Sequence, residues 1–176
     1  MKFLVLVLVA LALVLGAKCM TIRKDLVAER QAIDADWAAV DVALGHRAGI
    51  VPELVDTVHA EAPAEATVVV AVSDARNALD KAHGQHEKIQ ANARLDEALA
   101  RLMLQVENYP KLEGSQKYGD LLEALKGAEY QIALARRKYN EAVEHYNARI
   151  DLFPSNIVAS LTGLGKIDAY FQTPAI

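Results

Sequence analysis

From Tyr118 to Phe153, one set of side chains recurs at alternating spacings of four and three. The set is Tyr118, Leu122, Leu125, Glu129, Ile132, Arg136, Tyr139, Val143, Tyr146, Ile150 and Phe153. A heptad rhythm held over about five repeats specifies one long helix, packed against others with left-handed supercoiling. Two members of the stripe carry full charges. Burying Glu129 or Arg136 alone would be prohibitive, so each needs a partner inside the fold or a route to water.

The same alternation runs through the first half as Leu26, Arg30, Ile33, Trp37, Val40, Leu44, Arg47, Val51, Leu54 and Val58. No Gly or Pro separates Lys18 from Leu44, so an apolar N-terminal segment is expected to continue directly into this helix. Pro52 removes a backbone donor and predicts a kink. Glu61-Ala62-Pro63 marks a turn, with Pro63 suited to the first position of the next helix. Val69, Val72, Arg76, Leu79 and His83 form the second stripe, and Leu95, Leu99, Leu102 and Val106 the third. Gly84 leaves two readings open, separate helices or one bent helix. Asn108-Tyr109-Pro110 and Gly114-Ser115 precede the long final helix, and a short amphipathic segment follows Pro154. The expected fold is all-α, an up-and-down antiparallel four-helix bundle preceded by an N-terminal transmembrane helix. The expected divisions are 1–22 for the anchor, 23–153 for the bundle and 154–176 for the amphipathic segment and tail.

Residues 3–17 are uninterruptedly apolar behind Lys2. Fifteen helical residues reach roughly 22 Å, short of a ~30 Å hydrocarbon core. Snorkelling of Lys18 would let Cys19, Met20 and Ile22 extend the span. A cleaved signal peptide fits the length and Val14-Leu15-Gly16. A lipoprotein signal is disfavoured because Lys18 precedes the single cysteine, Cys19. A retained anchor accounts best for Lys18, Arg23 and Lys24, which follow as stop-transfer flanks do. Those charges place the C-terminal part in the cytoplasm by the positive-inside rule.

The candidate site residues lie on or beside the stripes: Asp41, Arg47, Arg76, Glu129 and Arg136. They form a satisfied polar layer that fixes helix register, or else Arg47, Arg76 and Arg136 bind a small anion between helices. Glu129 is expected to pair with Arg47 or Arg76. Tyr139 and Tyr146 add core area, while Asn140 and Asn147, poor helix formers, are expected to hydrogen-bond a neighbouring helix. Trp37 reads as a large core residue. His83 and His86 match no zinc-site order, so no metal or cofactor is expected. No nucleophile–base pair or carboxylate dyad supports catalysis. A net charge of −4 argues against nucleic-acid binding.

The pattern ExxIxxxRxxYNxxVxxYNxxIxxFPxN, ending in Phe153, Pro154 and Asn156, resembles the LemA family of bacterial membrane-anchored helical proteins. Trp37, Val40, Asp41, Val42, Leu44, Arg47, Ile50, Val51, Pro52, Leu54 and Val55 extend the likeness upstream. Glu107 to Leu112 and the tail pair Tyr170-Phe171 extend it downstream. Tyr118, Ala128 and Leu164 depart from the family pattern. The resemblance implies a single-pass protein of the bacterial cell membrane and a non-enzymatic interaction or scaffolding role. It also implies a membrane-associated protein partner, with an adaptor of membrane-protease or envelope-maintenance systems as one form.

Overall fold

The computed structural model describes residues 2–172, whose regular structure is all helical, with no strand among them and a non-helical tail over 164–172. Helix α1 spans Lys2–Glu61, α2 Ala66–Lys81, α3 Gly84–Val106, α4 Pro110–Glu113, α5 Gln116–Asp151 and α6 Ser155–Thr162. As its composition requires, α1 continues from the apolar segment through Lys18 without a break, and its helical assignment also passes through Pro52. Within it lies an 18-residue window of mean hydropathy 2.7, none of it buried. Among the described residues one helix, α1, is therefore long and apolar enough to cross a membrane.

Pro63 opens a 3-10 turn, Pro63–Glu65, that leads into α2. Ala82 and His83 are extended, and Gly84 has φ +79°. That left-handed value suits a residue without Cβ, and it makes α2 and α3 separate helices. The Glu87 side chain accepts the His83 N–H at 2.8 Å, satisfying one of the exposed donors at the start of α3.

By its internal contacts the chain divides into two units, one of Met1–Asp36 with Tyr139–Asp168, the other of Trp37–Lys138 with Ala169–Ile176. In the first unit, α1 and α5 are antiparallel. Tyr139 feels the charge of Asp34, whereas Arg149 pairs with Asp25 and Glu29, so advancing along α5 retreats along α1. Leu26, Ile33, Tyr139, Val143, Tyr146 and Ile150 are buried there. Phe153 does not continue this stripe. It is 79% exposed, because α5 ends at Asp151 and the turn before Pro154 swings the ring out.

In the second unit, α2 and α3 pack along each other. Lys88 pairs with Asp41 and Arg47 with Asp96, so α1 and α3 run in the same direction. The buried positions of α3 are the expected Leu95, Leu99, Leu102 and Val106, joined by Ala91, Asn92 and Ala98. On α5 the buried face passes through Tyr118, Leu121, Leu125, Ala128 and Ile132. Leu122 and Glu129 were the expected members, and Glu129 is exposed. Between Leu125 and Ile132 an alternation of four and three and one of three and four are equally periodic, and the small Ala128 takes the inward place.

Candidate functional site

Arg47 projects from α1 and is only 2% exposed. Its guanidinium forms an ion pair with Asp96 and donates to Asn92 Oδ1 at 2.6 Å. Asn92 is 1% exposed and sits four residues before Asp96 on α3, so one helical turn places both side chains on one face. Asn92 Nδ2 donates to Asp96 Oδ2 at 3.1 Å, which closes a three-membered polar ring. The planar fork of arginine suits this two-point arrangement better than a lysine would. Arg47 Nε is buried without a hydrogen-bond partner.

The other candidate residues distribute around this ring without all joining it. Asp41, half-buried, pairs with Lys88 of α3 one turn away. Arg76 is held by Asp80 at 3.0 Å on its own helix, and its Nε donates to the Ala48 carbonyl of α1 at 3.4 Å. Arg136 lies 4.4 Å from the centroid of Phe171, whose ring stacks on Trp37 at 6.1 Å. Burial lowers the Arg136 pKa from its usual value, Asp96 offsets this, and repulsion by Arg47 adds to the lowering. The expected pairing of Glu129 with Arg47 or Arg76 is replaced, because α3 supplies the carboxylate. Glu129 stands at the rim of a groove of about 270 Å³ that also meets Arg47, Asp96, Leu99, Met103 and Arg136. Two arginines face two carboxylates in that groove, so its formal charges cancel.

In the first unit the two tyrosines are 0% exposed. Burial, with the nearby charges of Asp34 and Asp168, pushes the Tyr139 pKa up to about 12. The Tyr146 hydroxyl donates to the Gly165 carbonyl at 3.3 Å. Asn147 grips the same stretch of tail at both ends of one residue. Its Nδ2 donates to the Ile167 carbonyl at 2.7 Å, and its Oδ1 accepts the Ile167 N–H at 2.9 Å. Asn147 therefore serves the backbone of the extended tail, where a neighbouring helix was the expected partner. Asn140 is half-buried. Asn156 Oδ1 accepts the Ile157 N–H at 2.8 Å beside exposed Pro154, at the start of α6.

Sequence reasoning missed Asn92, Asp96, Lys88 and Phe171. The first two carried a signal, a polar pair spaced by four next to the apolar stripe of α3. His83 lies in the extended link before α3 while His86 lies within it, so the two do not share a helical face. Among the described residues no three His, Cys, Asp or Glu side chains cluster to hold a metal. A groove of about 510 Å³ runs between α2 and α3 over Ala71, Ala75, Ala78 and Ala98, with Arg94 and Arg101 at its rim.

Comparison with known proteins places the chain among others of like sequence. Over 78 residues the chain is 36% identical to magnetosome protein MamQ 2 of Paramagnetospirillum magneticum, and equally to MamQ 1 of that organism. It is 32% identical over the same length to magnetosome protein MamQ of Magnetospirillum gryphiswaldense. Each match takes in 44% of this chain and 29% of the relative, so the chain spans less than a third of the length of these proteins. The sequence profile of the LemA family matches residues 36–175, most of the chain and nearly everything beyond the apolar segment. The chain belongs to the LemA family.

Proposed function

We propose that the protein is a single-pass, membrane-anchored, non-enzymatic module whose helices form an up-and-down bundle and bind a membrane-associated protein partner. The observation that carries this reading is the pairing of a fully exposed apolar segment in α1 with a polar layer whose charges satisfy one another. An apolar run of that length is stable in a bilayer, and a self-neutralised layer has little charge left for a substrate. Lys18, Arg23 and Lys24 put the helical part on the cytoplasmic side.

Partner binding is assigned to the exposed faces of α2 and α3, where the alanine-floored groove offers about 510 Å³ to apolar side chains. Photocrosslinking in native membranes from Ala75 tests this. The expected result is one discrete adduct, absent when the crosslinker is moved to exposed Glu123. No adduct from any exposed face would overturn the partner reading. Mass spectrometry of the membrane-extracted protein tests the anchor, because a mature N-terminus at Ala17, Lys18 or Cys19 would mean a cleaved signal.

A second reading, a sensor of small anions, draws on one observation, the proximity of the Arg47 and Arg136 charges in one groove. It predicts a saturable rise in melting temperature with phosphates, nucleotides or carboxylates that vanishes in Arg136→Gln. The balance of charge in that groove favours the first reading.

A further inference from the structure

Helix α6 uses only part of its apolar surface inside the fold. Val158 and Ala159 are buried, whereas Ile157 and Leu161 are 50% and 80% exposed. Spaced by four, these two form a ridge on one side of the helix. Leu152 and Phe153, 64% and 79% exposed in the preceding turn, add to the same outward apolar surface. Four large apolar side chains exposed within ten residues mark a contact surface.

The position of this surface in the first unit says what covers it. Arg149 reaches Asp25 and Glu29, and α5 retreats along α1. α5 ends at Asp151, and the turn three or four residues beyond Arg149 comes about level with residues 21–26 of α1, since Arg149 itself spans Asp25 and Glu29. The exposed apolar segment ends there, with Met20 64% exposed and Ile22 half-buried. On its return the chain is pinned again, since the Gly165 carbonyl accepts from Arg30 at 3.4 Å and from Tyr146 at 3.3 Å. Residues 152–164 are therefore held at the end of this unit from which the apolar segment emerges. Exposed Lys18, Arg23 and Lys24 ring the same level.

We propose that Leu152, Phe153, Ile157 and Leu161 dock into the headgroup–acyl boundary of the bilayer that holds α1, so that α6 lies flat on the membrane as a second contact. This rests on the anchor reading. An eight-residue helix alone is a weak interfacial element, but the tether supplies a high effective concentration of membrane. The basic ring complements lipid phosphates, which favours a lipid surface over a protein groove.

The test uses the full chain in phosphatidylcholine–phosphatidylglycerol vesicles. Cys19→Ser removes the native thiol, and an environment-sensitive fluorophore is attached through Leu161→Cys or, as control, Glu123→Cys. Both sites are exposed, so labelling does not disturb the core. The expected result is co-flotation with vesicles, a blue-shifted emission at position 161, and quenching by shallow nitroxide lipids at least about twofold greater than at 123. Failure to float would overturn the anchor reading and this one with it. Flotation with position 161 unquenched would overturn the docking alone. A blue shift that lipid nitroxides do not quench and that grows with protein density would assign the ridge to a second copy of the chain, also overturning it.

Discussion

The two units solve the same problem, that of fixing long helices in register, by different chemistry. The second unit buries an arginine and surrounds it with the carboxylate and amide of one turn of α3. The first unit buries neutral tyrosines, lets Asn147 clasp the backbone of the tail, and leaves Arg149 near the surface with Asp25 and Glu29. A buried charge discriminates harshly against misregistered packing, because any slip leaves it unpaired, but it adds little net stability. A neutral clasp costs less to desolvate and forgives more. The contrast predicts that point substitutions in the second unit are the more damaging, and that those in the first act through the tail.

The largest effect is expected from Arg47→Ala. Breaking a buried pair costs about 3–5 kcal/mol, and about 3 kcal/mol applies here because half-exposed Asp96 can take up water. Replacing Arg47 and Asp96 together by leucine should recover most of that loss. Urea denaturation of both variants checks it, and equal destabilisation would mean that the layer acts through packing alone. Asn147→Ala comes next. It removes two hydrogen bonds worth about 0.5–1.5 kcal/mol each, and should also release the Ile167 amide to faster hydrogen exchange while amides of α3 stay protected.

Tyr139 gives the first unit a distinctive response to alkali. Its folded pKa, about 12, lies above the usual tyrosine value of 10, so the folded state holds the phenol proton more tightly than the unfolded chain. That contribution is fully present below pH 10 and is lost as pH rises towards 12, at up to about 1.4 kcal/mol per pH unit. Tyr139→Phe should flatten the fall in stability between pH 10 and 12. A fall of unchanged steepness would show that Tyr139 ionises freely.

Much of this was legible in the sequence because apolar periodicity reports burial directly. On α1, the expected Leu26, Ile33, Val40, Leu44, Arg47, Val51, Leu54 and Val58 are all buried. Arg30, the other charged member, is exposed. The partners were harder to read, since periodicity says which face is buried and not which residue lies opposite. Asn92 and Asp96 occupy ordinary helical positions until Arg47 is brought beside them. Phe171 is separated from Trp37 and Arg136 by most of the chain or by an extended tail with no period, so nothing local announces their stack.

The smallest expected effect falls on Glu129, and it bears on the comparison as much as the largest. A heptad register read from Leu125 to Ile132 makes Glu129 a buried partner for arginine, and its removal would then rival that of Arg47. The structure turns Ala128 inward and leaves Glu129 exposed at the groove rim, as Glu141 is exposed further along α5. Any attraction between Glu129 and the arginines that line the same groove is therefore screened by water and salt. Glu129→Ala should change stability by no more than about 0.5 kcal/mol, as for other surface sites. Ala128→Glu, in contrast, would force a carboxylate into the packed face and unfold the second unit first, seen as early loss of amide protection in α3. If Glu129→Ala proved as costly as Arg47→Ala, the phase of α5 would be the one read from heptads, and the ionic layer would extend across it.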